Sequence, residues 1–406
     1  MKLIGRIYLL TFAAILPLLS VGRNPESDTI TSGSKPYLNI WALVQMDAIY
    51  DLKQMDPDWI GGFRPSKIPI YSTDPGWGTY GHLYFSVRPS TFKFEGVLPT
   101  HYKWGPLRLR FEFDLFGLGV HAGETTLRFR QAYGDWGPFR IGKDWSTFVD
   151  LEAFPNIYDW WGPSGMALLP TEVFRYTWKV SKQHKMEFAF EIPGSEVDPG
   201  QLRQIDPNLI NIRTKEMFPD FISRYTYRGK GGYLKAAVML RQLSYEIVSV
   251  TYNKINQKTK FGWAVNLTSG IDTFKQTGAF RLQAVFGQGY AGYNNDGGVE
   301  ITPDEKFRAT VPWQFGFTAF YDQRFGKRWQ VSTGFSETNQ TNTAGQSDDA
   351  FHKSYYSVSQ VIYEVFRNHI FVGLNFQYGK KFVKDGSSAD DQRIMFSVQY
   401  FMSHWK

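Results

Sequence analysis

The stretch from Leu107 to Leu115 reads LRLRFEFDL and alternates apolar and charged residues without a break. Successive side chains of a strand point to opposite faces. Leu107, Leu109, Phe111, Phe113 and Leu115 therefore form one wholly apolar face, and Arg108, Arg110, Glu112 and Asp114 one wholly charged face. A single strand of this kind fits a soluble sandwich, or a membrane barrel with the two faces exchanged. Repetition along the chain separates the two. Met186, Phe188, Phe190 and Ile192 alternate with Lys185, Glu187, Ala189 and Glu191, and Leu234, Ala236, Val238 and Leu240 repeat the period. So do Ile370, Val372, Leu374, Phe376 and Tyr378, and then Ile394, Phe396, Val398 and Tyr400.

Placing every such segment predicts strands near 37–50, 80–88, 107–116, 124–133, 139–144, 173–180, 185–192, 220–227, 233–242, 261–269, 279–286, 313–322, 329–336, 354–364, 370–379 and 392–402. That is about sixteen, an even number, as in outer-membrane barrels of bacteria. Such barrels join their strands by short periplasmic turns and longer outer loops. Long connections (51–79, 145–172, 193–219, 243–260, 287–312, 337–353, 380–391) largely alternate here with short ones. The exceptions are a short outer loop at 117–123 and a long inner turn at 89–106. This parity puts both mature ends in the periplasm. Aromatics near strand ends, such as Trp41, Tyr50, Tyr225, Tyr227, Trp313, Tyr321 and Trp329, fit interfacial girdles. The predicted fold is all-β: a transmembrane antiparallel barrel.

Composition agrees. Phe, Tyr and Trp number 34, 23 and 13, yet the mean hydropathy is −0.34. That combination excludes a multi-span helical protein, which needs repeated apolar runs of about 20 residues, and suits a barrel whose aromatics face lipid. Cys is absent, which removes disulfides, Cys-ligated metals and thiolate nucleophiles. At the N-terminus Lys2 and Arg6 precede the apolar run Ile7 to Leu19 and the small-residue site Ser20-Val21-Gly22, the pattern of a secretory signal peptide. The expected division is a signal peptide at 1–22, a short polar leader at 23–36 and a barrel over 37–406. Losing two cations with the signal leaves 43 − 38 = +5.

Motifs of catalysis are weak. Gly287-Gln-Gly289-Tyr-Ala-Gly292 matches G-x-G-x-x-G but leads into Tyr-Asn-Asn-Asp-Gly-Gly rather than a helix, so no helix N-terminus would hold a pyrophosphate. The seven His residues form no H-E-x-x-H, and no G-x-S-x-G elbow occurs. No catalytic residue, metal, cofactor or nucleic-acid partner is expected. A spatial Ser/His site on a barrel rim, and a closed-lumen binding or adhesion barrel, stand as the competing readings.

If the apolar set faces lipid, then Arg108, Arg110, Arg128, Arg130, Arg140, Arg175 and Arg224 face the lumen. Guanidiniums in a narrow water-filled channel concentrate anions. Arg108 and Arg110 flank Glu112 and Asp114, and equally fit pairing across the wall. Arg128, Arg130 and Arg140 have few acids on their own strands, which favours an uncompensated field. The connection at 145–172 is aromatic and acidic, with Trp145, Phe148, Tyr158, Trp160 and Trp161 beside Asp150, Glu152 and Asp159. Such aromatics suit a loop folded into the lumen, its acids opposing the basic wall across a constriction that also takes in Lys143 and Asp144.

Several stretches are similar to the DcaP-like trimeric outer-membrane porins: Leu109 to Gly117 (LRFEFDLFG), Leu127 to Trp136 (LRFRQAYGDW), Gly142 to Asp150 (GKDWSTFVD) and Gly162 to Gly165 (GPSG). Weaker echoes are Phe218 to Phe221 and Leu240 to Leu243. The resemblance is densest over 80–245, and WSTF is its most specific piece. It implies a sixteen-stranded homotrimer in the outer membrane of a Gram-negative bacterium. Its third loop would fold inward, and a basic eyelet would pass small anionic solutes, notably dicarboxylates. On that likeness Arg108, Arg110, Arg128, Arg130 and Arg140 would line the eyelet and Trp145 to Gly165 would form the constriction loop. Two features depart from the pattern. Only about fourteen polar residues precede the barrel where some members carry a helical stalk, and the end Tyr400-Phe-Met-Ser-His-Trp-Lys406 leaves either Phe401 or Trp405 as the aromatic assembly signal.

Overall fold

A computed structural model describes residues 35–194, 197–198, 212–249, 254–306 and 308–403. The segments expected to be signal peptide and most of the expected leader, and Trp405, lie outside the described residues.

Sixteen antiparallel wall strands close on themselves. They are β1 (Tyr37–Asp51), β2 (His82–Ser86 continued by Thr91–Leu98), β3 (Leu107–Phe116), β4 (Thr125–Trp136), β5 (Phe139–Trp145), β6 (Pro170–Lys179), β7 (His184–Ile192) and β8 (Asp220–Gly229). Then come β9 (Gly232–Ser249), β10 (Lys254–Thr273), β11 (Gly278–Gln288), β12 (Trp313–Phe325), β13 (Trp329–Gln340), β14 (Phe351–Phe366), β15 (Ile370–Val383) and β16 (Ser388–Ser403). Each pairs with its neighbour, and β1 closes the ring on β16 from Trp41↔Ser403 to Asp51↔Arg393.

The faces are exchanged relative to a soluble sheet. On β3, Leu109 and Phe111 are 45% and 42% exposed while Glu112 and Asp114 are 1% and 0% exposed. The same reversal holds on β12, where Trp313, Phe315 and Phe317 are exposed and Gln314 and Thr318 buried. Only a lipid exterior makes this favourable: the apolar band faces hydrocarbon, the wall strands pair their backbone groups with their neighbours around the closed ring, and the charges keep to the polar lumen. At one rim Tyr102, Trp104 and Trp136 stack edge to face, and Phe139 packs on Trp104 and Tyr176, forming part of an aromatic girdle.

Three expected connections are redrawn. The inner turn at 89–106 contains strand: Thr91–Leu98 pairs with both Tyr37–Leu43 of β1 and β3, so β2 is one wall strand interrupted where the Ser90 hydroxyl accepts from the Gln45 amide nitrogen. The connection at 243–260 is mostly strand, with β9 and β10 paired from Gly232↔Ile271 to Ser249↔Lys254. There the polarity turns over. Leu243 and Tyr245 pack inward against Ile301, while Glu246 meets Arg213 and Lys215. Above the bilayer apolar-in and polar-out is again the stable choice, so the lipid-facing alternation stops at Leu240 although the strand continues. The connection at 380–391 likewise shrinks, because β15 and β16 stay paired up to Phe382↔Ser388.

The apolar core lies inside the barrel. The connection between β5 and β6 (146–169) enters the lumen. It packs Phe148 and Val149 near its start and Ala167 near its end on Ile222, Ala237, Met239, Ala264 and Val285 of the inner wall. Between them, Tyr158 packs among Ile49, Ile362, Phe371 and Met395. The connection between β1 and β2 (52–81) also dips inward and seats Met55, Trp59, Phe63 and Ile68 against Phe116, Phe320, Tyr356 and Val358. Glycines on both sides make room: a Cβ on Gly373 of the wall would lie 2.3 Å from the Tyr158 ring, and one on Gly165 of the loop would lie 1.9 Å from the Glu337 carbonyl oxygen.

Candidate functional site

The inward loop is fastened by polar contacts around most of the wall. The Thr147 amide donates to Glu191 (2.6 Å), Asn266 donates to the Phe148 carbonyl (2.7 Å), and Arg224 donates to the Val149 carbonyl (2.8 Å). Lys235 donates to Asp150 (2.5 Å) and Thr268 to the same carboxylate (2.6 Å). Glu152 takes Arg228 (2.8 Å) and Lys235 (3.1 Å). Asn156 donates to Gln330 and Tyr158 to Gln360 (2.8 Å each), and Gln45 donates to the Tyr158 carbonyl (3.1 Å). Asp159 then accepts from the Tyr356 hydroxyl (2.8 Å) and the Phe63 amide (3.2 Å), tying both inward loops together. Trp160 returns the loop to β3 by donating its indole N–H to Asp114 (3.1 Å).

The loop's carboxyls titrate accordingly. Burial pushes the Asp150 carboxyl up, but the Lys235 ammonium, the Thr268 hydroxyl and the Arg224 charge overcome it and hold the group below the usual carboxylate range. At Asp159 burial wins over the Tyr356 hydroxyl and the charge of Arg393, and the carboxyl is raised.

All seven sequence-identified arginines lie on inward-facing positions, and none is uncompensated. Arg110 and Arg108 approach Glu95 (2.8 and 3.9 Å). Arg128 grips Asp114 with both its Nε (2.9 Å) and Nη2 (2.5 Å). Arg130 lies 3.2 Å from Glu112 and 3.6 Å from Asp114. Arg140 bridges Asp135 and Asp144 (2.6 Å each). Arg175 donates to Asp144 (3.2 Å), Thr147 (2.8 Å) and the Trp145 carbonyl (2.5 Å). Arg224 meets Glu187 (2.7 Å). The expectation that Arg128, Arg130 and Arg140 stand free is therefore corrected: their partners come from the neighbouring strand or, for Asp144, from four residues along. The acids of the loop divide: Asp159 lines the same cavity as Arg128 and Arg130, whereas Asp150 and Glu152 are neutralised by Lys235 of β9 and Arg228 of β8. Lys143, Asp144 and Trp145 belong to β5 rather than the loop, and Lys143 lies 3.4 Å from Glu172.

An imbalance survives the pairing. On β2, β3 and β4 the interlinked set holds five cations (Lys93, Arg108, Arg110, Arg128, Arg130) and three carboxylates (Glu95, Glu112, Asp114), a local excess of two. Stacking holds one of these cations in place, since Arg130 lies over Trp160 (4.7 Å) and Trp145 (5.0 Å). Between this wall and the two inward loops lies a cavity of about 710 Å³. Its charged lining is Arg64, Lys67, Arg128, Arg130, Lys143 and Lys381 against Asp159 and Asp349. Arg64, Lys67 and Lys381 carry no sequence signal that sets them apart, because the turn that brings Arg64 and Lys67 inward depends on contacts far along the chain. Arg64 is fixed by Asp296 (2.8 Å) and sandwiched near Trp59 (4.1 Å) and Trp161 (5.1 Å). Among the described residues no group of three His, Asp or Glu side chains is arranged to hold a metal.

No family model matches the chain, and no curated protein does. Solved structures do match. The outer membrane channel DcaP of Acinetobacter baumannii superposes with a TM-score of 0.77 at 16% identity, covering 91% of this chain and 99% of that one. An anion-selective porin from Comamonas acidovorans gives 0.57 at 8% identity, over 91% and 100% of the two chains. The outer membrane protein OmpT of Vibrio cholerae, in a trimer form, gives 0.54 at 9% identity over the same shares. The likeness is one of fold, and the fold anticipated from the DcaP-like stretches is the one observed.

Proposed function

We propose that this barrel is an outer-membrane porin of a Gram-negative cell, a passive diffusion channel whose eyelet favours small anionic solutes such as dicarboxylates. The observation that carries the reading is the cation excess on the cavity lining. Solutes move down their gradient, so no catalytic group or cofactor is required. The wall arginines already hold carboxylates, so a passing anion meets a residual field rather than an empty bidentate fork. That arrangement attracts an anion yet lets it leave, as conduction demands. Support comes from the folds it resembles, one of which is named an anion-selective porin and another an outer membrane channel. Assembly as a homotrimer in outer-membrane lipid belongs to the same proposal, supported by the trimer form of a third.

The test is charge reversal at Arg128 and Arg130, both to Glu, followed by reversal potentials in planar bilayers under a salt gradient. The selectivity should swing from anions toward cations. Unchanged selectivity in a folded barrel would sink the eyelet assignment, and absence of conductance in the native protein would favour a closed binding barrel instead.

A further inference from the structure

The cavity has two cationic poles, and only one of them is on the arginine wall. Arg128 and Arg130 stand on β4. Lys67, at the end of the inward turn Pro65–Lys67, and Lys381, on β15, line the same space from five strands farther round the ring. The turn is rigidly seated. Phe63 and Pro65 pack where a Cβ on Gly379 would touch them, at 2.8 and 3.1 Å, and the Ser66 amide donates to Asp296 (2.9 Å). The Lys381 ammonium reaches the carbonyl of Ile68 (3.4 Å), which places it beside Lys67.

These two lysines differ from the arginines in what holds them. Each of the seven wall arginines described above has a carboxylate, whereas among the described residues neither Lys67 nor Lys381 has one within ion-pair distance. Asp296 is taken by Arg64 and Ser66, and Asp159 by Tyr356 and two backbone amides, those of Phe63 and Trp161. Asp349, the remaining acid on the lining, is exposed on the rim. Asp74, Asp296 and Asp349 lie near enough to act on Lys381 through space, but none is ion-paired to either lysine, and the two ammoniums, one on the inward turn and one on β15, line the same space as the arginine pole and form a site for the far end of a solute.

We infer that Lys67 and Lys381 form the second pole of a two-point site that distinguishes dianions from monoanions. The inference rests on the anion-channel reading and adds to it the residues that read the second charge. Size agrees, since the shared cavity of about 710 Å³ falls within the roughly 300–1,000 Å³ of small-molecule sites and has room for a short dicarboxylate. The lysines suit this task, since a flexible, strongly hydrated ammonium holds a carboxylate loosely.

The experiment compares succinate with butyrate, which share a carbon count and differ by one charge, through the full-length barrel in planar bilayers. In the double variant Lys67→Gln, Lys381→Gln the succinate to butyrate permeability ratio should fall about 3-fold to 10-fold, while chloride stays preferred over potassium. The charge-conserving pair Lys67→Arg, Lys381→Arg should keep most of the ratio. If the Gln variant leaves the ratio unchanged, or lowers both solutes equally, the second pole is refuted while the channel reading stands. A native barrel that fails to prefer anions at all overturns the channel reading itself, and is recognised before any lysine is changed.

Discussion

Asp114 is the position at which the charge of the eyelet is most directly adjustable. It is fully buried and accepts from Arg128, Trp160 and the Phe116 amide, with Arg130 close by. Changing it to Asn raises the local excess from two to three cations. A unit charge about 7 Å from a passing ion is worth roughly 0.6 kcal/mol at the dielectric constant of water and about 1.2 kcal/mol at half that value. The corresponding factor is about 3-fold to 8-fold. Because chloride and potassium shift in opposite directions, their permeability ratio should rise at least about 3-fold near 0.1 M salt. Near 1 M, where the Debye length falls to about 3 Å, the gain should collapse. Asn keeps one acceptor oxygen for Phe116 or Trp160 but releases the fork of Arg128, so folding is checked by heat-modifiable migration on gels. A folded Asp114→Asn barrel whose ratio stays flat or drops at 0.1 M would refute the idea that net wall charge sets the sign of the pore.

Two further outcomes test the loop rather than the wall. Gly165→Val places a side chain where even a Cβ would sit 1.9 Å from the Glu337 carbonyl oxygen. The loop should leave β12 and β13, raising single-channel conductance and exposing 146–169 to protease, and an unchanged conductance would show that this contact does not hold the constriction. Lys235→Met strands the buried Asp150 carboxylate, an imbalance of about 3–5 kcal/mol. In the native protein Asp150 lies below its ordinary value, so its stabilising contribution is full above about pH 4 and fades as pH falls. In the variant the sign inverts, because burial now raises the group and protonation relieves the cost. The thermal transition should therefore drop strongly at pH 7 and much less at pH 4, and an equal drop at both would refute the pairing.

The wall was legible because lipid enforces a two-residue period on each crossing, from Leu107–Phe116 of β3 to Ile394, Phe396 and Val398 of β16. It stopped being legible where that pressure stops. Above Leu240 the strand pair β9–β10 reads as loop because Leu243 and Tyr245 turn inward while Ser244 and Glu246 turn out. The break in β2 was hidden for another reason: Pro89 and Ser90 carry turn character, and the short run Phe92, Phe94, Gly96 and Leu98 has too few apolar residues to announce a strand alone. The inward loop at 146–169 was legible from Trp160, Trp161 and Tyr158, whose exposure to water would have been costly. Its neighbour at 52–81 was not, since Phe63 is held through Asp159, 96 residues away. Inward strand glycines offered an unused signal. Gly373 and Gly379 mark the places where a loop side chain approaches the wall backbone.

The same charges both hold the loop and set the field, and this limits which of them can report on selectivity. Arg175 donates to the Trp145 carbonyl and Arg224 to the Val149 carbonyl, and Asp114 receives Trp160. Removing Arg175 or Arg224 releases backbone groups of the constriction, so any change in ion preference would mix a wider pore with a weaker charge. Among the described residues Arg108 and Arg110 form ion pairs only with Glu95, and no hydrogen bond ties them to the inward loop. A barrel built this way places its selectivity in the surplus of cations over carboxylates and its shape in the pairs themselves. A ring of unpaired guanidiniums would have supplied a stronger field, but the inward loops would then have lost the carboxylate and guanidinium anchors that fix their course across the lumen. The pairing seen on β3 and β4 is thus the condition for having a defined constriction at all. It is also the reason that the arginine wall contributes a surplus of only two charges, rather than the full count of arginines, to the field a solute meets.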